Sequence, residues 1–208
     1  MNKRKKQQKE TAIFMQTNEI CWSCKGPLNE GFFCPTCGTL RRPFALSPFK
    51  FFALPFAFNL NLNTLEERYL DLQKQFHPDK FVTKTSQEQM NALSWGGFLN
   101  DSYNKLKKPV ERACLLLAEQ GIHDVLEEKP TPDMMMKQFE LREQLEESEQ
   151  LDDLLIEVQD DIANLESGLV ESFDSSNFEK AKKQTLELQF LSKFTRDIKR
   201  KMRQLKTN

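Results

Sequence analysis

A proline at position 78, set between two stretches of helical patterning, limits this chain more than any other single feature. Before it, Leu65, Tyr69, Leu72 and Phe76 recur at helical spacing, and Asn63 with Glu66 makes a capping-box-like start, so a helix is predicted over 63–76. After it, Met90, Leu93, Leu99, Tyr103 and Leu106 predict a second helix over 86–107. Proline disfavours helical geometry in the residue before it, so the first helix must end at His77 and the chain must turn. The expected product is a helical hairpin with His77, Pro78 and Asp79 at its tip, presenting an imidazole and a carboxylate. Gly96 and Gly97 lie inside the second helix, where each costs up to about 1 kcal/mol relative to alanine. Close helix packing and a kink are both compatible with the pair.

The flanks continue the helical theme. Residues 44–58 hold six of the chain's seventeen phenylalanines, punctuated by Pro43, Pro48 and Pro55, and a short helix is expected over 48–54. A further helix over 109–121 closes at Gly121, and Cys114 in its apolar run reads as a core thiol. Residues 122–132, with two prolines and several charges, are the candidate linker. Three helices are expected beyond it, at 133–147, 151–173 and 177–206. The second carries Leu151, Leu155, Val158, Ile162, Leu165, Leu169 and Phe173 in one stripe. The third carries Phe178, Ala181, Thr185, Leu188, Leu191, Phe194, Ile198, Met202 and Leu205. Neither stripe is buried alone, and the connections at 148–150 and 174–176 are short, so a three-helix bundle is the simplest answer. Phe190 and Leu186 fall off the stripe of the last helix, and Met134, Met135, Met136 and Phe139 exceed what one seam needs. That surplus either widens the core or forms a partner surface, for which flexible methionines around an aromatic anchor are suited.

Cys21-Trp-Ser-Cys24 and Cys34-Pro-Thr-Cys37 form two C-x-x-C pairs nine residues apart. The spacing aims both thiolates of a pair at one ion; Gly26 and Gly38 are expected to permit the tight turns, and Gly31 to close the hairpin between them. A structural four-thiolate zinc site is the leading reading, one ion per chain. An iron–sulfur or iron centre uses the same ligands, whereas a redox C-x-x-C usually stands alone beside a βαβ pattern that is absent here. A nucleic-acid-binding ribbon has only Lys25, Arg41 and Arg42 nearby to supply positive charge. Four protein ligands leave no open coordination position, which argues against zinc catalysis. Loss of metal is expected to unfold residues 18–42 and spare the helices.

Composition sets the remaining bounds. The chain is 38% hydrophobic and 29% charged, a balance that suits amphipathic helices. The net charge of -1 conceals a basic start, with Lys3, Arg4, Lys5, Lys6 and Lys9, and an acidic segment over 126–161. The basic start reads as a solvated, disordered tail in preference to a nucleic-acid arm or a targeting segment. No apolar run approaches the roughly 20 residues needed to span a bilayer, and no secretory signal is visible, so a soluble protein of a reducing interior is expected. No nucleophile–base pair or phosphate loop is present, which argues against an intrinsic enzyme.

The hairpin with its His-Pro-Asp tip resembles the J domain, which stimulates ATP hydrolysis by DnaK-type chaperones. More specifically, the chain is similar to the HscB family of J-domain co-chaperones for iron–sulfur cluster biogenesis. The resemblance rests on Phe-x-Ala-Leu-Pro at 51–55, Leu-Gln-Lys-Gln-Phe-His-Pro-Asp-Lys-Phe at 72–81 and Leu-Asn-Asp-Ser-Tyr at 99–103. It continues in Gln-Phe-Glu-Leu-Arg-Glu-Gln-Leu-Glu-Glu at 138–147 and Leu-x-Phe-Leu-x-Lys at 188–193. The cysteine module resembles that of animal homologues. The resemblance implies a mainly α protein: a basic tail at 1–16, a tetracysteine zinc module at 17–43, a J domain at 47–121, a linker at 122–132 and a bundle at 133–206. It implies that His77, Pro78 and Asp79, with Lys74 and Lys80, engage a DnaK/HscA-type ATPase. It further implies that Met135, Met136, Phe139, Glu140, Glu143, Glu147 and Phe190 bind an IscU-type scaffold, with no nucleic-acid or membrane partner. Gly96-Gly97 departs from the family, where small helix formers are usual. The compartment implied is the cytoplasm, with the mitochondrial matrix as the alternative.

Overall fold

The computed structural model describes residues 20–207 apart from residue 149; the basic stretch at 3–9 and the first residues of the cysteine module lie outside the described residues. Among the described residues, seven α-helices follow one another: α1 Pro48–Phe51, α2 Leu62–Phe76, α3 Ser86–Lys107, α4 Pro109–Ala118, α5 Pro132–Glu147, α6 Leu151–Asp174 and α7 Phe178–Thr207. Short 3-10 turns occupy Pro78–Phe81 and Val125–Glu127. Among the described residues, β structure is limited to isolated antiparallel bridges, Ile20 with Pro27 and Phe33 with Leu40. Among them, too, no helix is long and apolar enough to cross a membrane. The chain forms two compact units. One takes in the chain up to Ala45 together with Asp71–Leu99; the other takes in Leu46–Leu70 and the chain from Asn100 onward.

In the first unit the hairpin tip and the cysteine module share a core. Cys21, Cys34, Leu40, Leu72, Phe76, Phe81, Ala92, Trp95 and Leu99 are all buried there. Met90 and Leu93, expected on the inner face of α3, are instead exposed. The face they vacate is set by Asn91 and Trp95, whose side-chain N–H groups find backbone carbonyls in the module. Asn91 Nδ2 donates to Leu40 O and Trp95 Nε1 to Arg41 O, each at 3.0 Å. Helix α3 runs unbroken through Gly96 and Gly97, and a Cβ added at either would meet nothing within 4 Å. Close packing therefore does not explain the pair, and neither does a break in the helix.

The N-terminus of α2 is set by Asn61 rather than Asn63. Asn61 Oδ1 accepts from the amides of Asn63 and Thr64 at 3.0 and 3.2 Å, satisfying donors that the first turn leaves open. In the second unit, α2 and α3 are joined by Tyr69 and Tyr103, whose rings lie 4.3 Å apart, and by Tyr69 Oη donating to Asn100 Oδ1 at 3.0 Å. Tyr103 Oη also donates to Glu66.

The C-terminal helices form the expected bundle. Leu141 of α5, Leu151, Leu154 and Val158 of α6, and Leu191, Phe194 and Ile198 of α7 make one buried cluster. Lys137 of α5 binds Asp161 of α6 at 3.0 Å and Glu187 of α7 at 2.9 Å, so one ammonium joins all three helices. Phe190 is not off the seam: it packs against this cluster and stacks on Phe194 at 5.7 Å. Helix α7 packs against α4, α5, α6 and the 3-10 turn at Val125–Glu127, which needs a wider apolar stripe than a two-helix seam provides. The segment 122–132 is partly folded. Val125 is buried, its 3-10 turn packs on α7, and Glu128 pairs with Lys182 at 2.6 Å.

Candidate metal centre and binding surfaces

Each C-x-x-C pair sits in a tight knuckle. Cys21 N–H donates to Gly26 O at 2.8 Å and Lys25 N–H to Cys21 O at 3.1 Å; the second knuckle repeats this with Cys34 N–H to Thr39 O and Gly38 N–H to Cys34 O, both 2.9 Å. Gly38 has φ +70°, which a glycine adopts freely, but in the first knuckle the left-handed residue is Lys25 at φ +61°. Gly26 serves a different need: a Cβ there would meet Thr36 Oγ1 at 2.9 Å and Cys24 Sγ at 3.3 Å. Its smallness admits the opposite knuckle.

The four sulfurs of Cys21, Cys24, Cys34 and Cys37 lie within 4.8 Å of one another. Two of the separations are 3.8 Å, Cys21 to Cys37, and 3.7 Å, Cys24 to Cys34. A tetrahedral ion with metal–sulfur bonds of about 2.3 Å requires sulfur–sulfur edges of about 3.8 Å. The donor set therefore fits one metal ion. Amides of Ser23 and Gly26 point at the Cys21 and Cys24 sulfurs, each at 3.4 Å, and favour thiolates. Hydrogen bonding between Cys37 and Thr39 lowers the Cys37 thiol to about 6. Cys114 is not part of the cluster. It is half-buried on α4, and burial, seconded by the Glu111 charge, pushes its thiol up to about 11.

Arg41 is 5% exposed, donates to Asn29 O and to Gly31 O, and covers the Phe44 ring at 4.5 Å. It braces the hairpin between the knuckles and is not offered to solvent as a phosphate contact. Phe32 from the same hairpin stands edge-on to Phe76 at 5.2 Å and to Trp95 at 5.1 Å. Nothing in the local spacing marks Phe32, Asn91 or Trp95; the large, buried Trp95 beside a polar Asn91 is the signal that sequence reading passed over.

The His77-Pro78-Asp79 turn is held at both ends by buried phenylalanines, Phe76 and Phe81. His77 takes the extended geometry that Pro78 demands, φ -58° and ψ +128°. Its Nδ1 accepts from the Asp79 amide at 3.3 Å. The Asp79 carboxylate lies 3.6 Å from the same Nδ1, yet the side chains of His77 and Asp79 are 52% and 85% exposed. Lys74 is exposed on α2 and pairs with Asp71 at 3.0 Å; Lys80 is exposed on the turn.

On α5, Met135, Met136 and Phe139 are exposed at 58%, 67% and 65%. Glu140, Glu143 and Glu147 continue that solvent side at three- and four-residue steps. The surplus apolar surface of α5 is thus outside the core. Phe190 lies one turn along α7 from Glu187, which Lys137 binds, so it is directed toward α5 from within the bundle.

Residues 130–199 match the model of a family described as the HSCB C-terminal oligomerisation domain. The co-chaperone protein HscB homolog of Pasteurella multocida is 36% identical over 164 residues, 74% of this chain and 95% of that protein. Its counterpart in Aliivibrio salmonicida is 31% identical over 165 residues, 74% of this chain and 96% of the relative. The crystal structure of human co-chaperone protein HscB superposes with a TM-score of 0.83 at 26% identity, covering 88% of this chain and 98% of the human one.

Proposed function

Because this chain belongs to the HscB family of co-chaperones, we propose that it delivers an IscU-type iron–sulfur scaffold to a DnaK/HscA-type ATPase and accelerates ATP hydrolysis by that partner. It is an adaptor in iron–sulfur cluster assembly, and the hydrolysing site belongs to the partner. The observation that carries this reading is the exposed His77-Pro78-Asp79 turn, fixed between two buried phenylalanines on a helical hairpin. A rigid turn exposing an imidazole and a carboxylate suits docking, and it contributes little to the fold. In this reading the J domain is 47–121, with Lys74 and Lys80 as supporting charges, and the scaffold-binding bundle is 133–206. The scaffold meets Met135, Met136 and Phe139, with Glu140, Glu143 and Glu147 as a charged rim and Phe190 as support. Apolar anchors dominate such interfaces, while rim charges act on encounter and partner choice.

The module at 17–43 holds one zinc ion in this reading, bound by Cys21, Cys24, Cys34 and Cys37. Zinc would supply folding energy to the knuckles and no chemistry to the partner's ATPase. Iron fits the same four thiolates, and the exposure of Cys24 and Cys37 favours keeping a cluster-carrying role as the second reading. Elemental analysis and the visible spectrum separate them, because iron–thiolate centres are coloured. A nucleic-acid ribbon is disfavoured by the inward commitment of Arg41. The two sequence relatives named above are bacterial, which favours the cytoplasm over the mitochondrial matrix as the compartment.

The deciding experiment is ATPase stimulation by His77→Gln. Stimulation is expected to vanish while circular dichroism stays unchanged, since the side chain is half exposed and little packing is lost. Normal stimulation by the variant would reject the proposed role of the turn.

A further inference from the structure

The cysteine module lies against α3 and the last residue of α2 through buried, directional contacts, all of them inside one compact unit. Phe32 enters from the hairpin between the knuckles, two residues before Cys34. Its ring meets Phe76 edge-on at 5.2 Å and Trp95 edge-on at 5.1 Å, and those two rings stack on each other at 5.7 Å. Phe76 immediately precedes His77, and its ring is 2% exposed. Around this trio, Asn91 and Trp95 of α3 donate side-chain hydrogen bonds to Leu40 O and Arg41 O, in the segment leaving the second knuckle. The backbone of the Phe32 hairpin is itself fixed by Arg41, whose amide donates to Phe32 O and whose guanidinium donates to Gly31 O, both 2.9 Å.

We propose that Phe32 is a positioning residue for the His77-Pro78-Asp79 turn, and that metal in the four-cysteine centre governs how firmly that turn is held. The role assigned to the turn rests on the J-domain reading; the mechanical coupling rests on the contacts alone. So small a module, with two isolated bridges among its described residues, draws its folding energy from the metal. When the metal leaves, Phe32 is released, and Phe76 and Trp95 lose the ring that closes their cluster. Asn91 Nδ2 and Trp95 Nε1 lose the carbonyls they now use, and a buried donor without an acceptor is costly. The loss falls on the last turn of α2 and the first half of α3, which are the two supports of the turn. The module is therefore part of the hairpin's support, and on this proposal metal loss reaches α2 and α3 as well as residues 18–42.

Hydrogen exchange on the full chain tests the coupling, comparing protein loaded with zinc against the same protein after chelation. Amides over 72–82 and 86–99 are expected to exchange about tenfold faster without metal, while the core-facing turns of α6 around Val158 and of α7 around Leu191 keep their protection. Unchanged protection over 72–99 after metal removal would overturn the proposal. Phe32→Ala addresses the single residue. It is expected to keep its metal, yet to need about fivefold more co-chaperone for half-maximal ATPase stimulation, because the turn is competent for a smaller fraction of the time. The maximal rate should fall less than that, and Phe32→Tyr should restore the wild-type value. Loss of metal from Phe32→Ala, or an unchanged half-maximal concentration, removes the role assigned to Phe32. If the zinc-loaded wild-type chain stimulates no DnaK-type ATPase, the functional reading fails, and the exchange comparison still decides the coupling.

Discussion

Cys114 shows how one side chain's surroundings set its chemistry. Half-buried on α4 and raised to about 11, it stays a neutral thiol at physiological pH and should react slowly with alkylating reagents, unlike a metal-free Cys37 at about 6. A raised thiol also makes stability depend on pH. Above the ordinary value of 9.0 the unfolded chain ionises at this position while the folded chain does not, so stability should decline from pH 9 and level off near 11. Cys114→Ala should flatten that part of the profile and leave bound metal unchanged, as denaturant titrations at pH 8 and pH 10 with elemental analysis would show. Retained slope, or lost metal, would contradict this account. The four metal ligands were legible in the sequence because C-x-x-C spacing is a local rule. Lys25 as the left-handed residue was not, since a C-x-x-C-K-G sequence suggests that the glycine takes that conformation. Asn91 and Trp95 were missed for a related reason: their partners, Leu40 O and Arg41 O, lie more than fifty residues away.

Among the elements, α7 is the clearest case of pattern becoming structure. Its three- and four-residue rhythm puts Ala181, Thr185, Leu188, Leu191, Phe194 and Ile198 in the core, as the stripe predicted. Leu191 has no exposed surface, so Leu191→Ala should cost about 2–5 kcal/mol by leaving a cavity at the centre of the bundle. Lys137→Ala is a milder test of the same architecture. Its two ion pairs are partly open to solvent, so their loss should cost about 1 kcal/mol, and less at high salt. Urea unfolding at low and high ionic strength would separate the two variants, the first insensitive to salt and the second sensitive. Helix α3 marks the limit of pattern reading. Met90 and Leu93 gave it an apolar face, but the module claims the side bearing Asn91, Ala92 and Trp95, leaving those two exposed. A helix facing two different neighbours along its length carries two registers, and a single stripe averages them. Phe190 was misjudged for the same reason, since α7 borders both α5 and α6.

For the whole molecule, the proposed adaptor role requires that the turn and the α5 surface act in one chain. Met135→Ala, Met136→Ala and Phe139→Ala combined should leave the bundle folded, because all three side chains are more than half exposed. That variant should lose scaffold binding by calorimetry and keep scaffold-independent ATPase stimulation. Phe190→Ala, by contrast, should lower bundle stability, since its ring packs on the core cluster. An equimolar mixture of His77→Gln and the triple variant should fail to restore scaffold-dependent stimulation. Restoration would mean that separate copies cooperate in a larger assembly. The contacts of Phe58 carry a further consequence. Its ring stacks on Phe173 of α6 at 5.9 Å and lies under the Arg112 guanidinium of α4 at 4.9 Å, while α4 and Val125 pack along α7. A chain cut after Gly121 would therefore bare apolar surface on both fragments. Grafting this J segment onto a foreign cargo-binding domain, as is done with beads on a string, should give poorly folding chimaeras unless α6 and α7 travel with it.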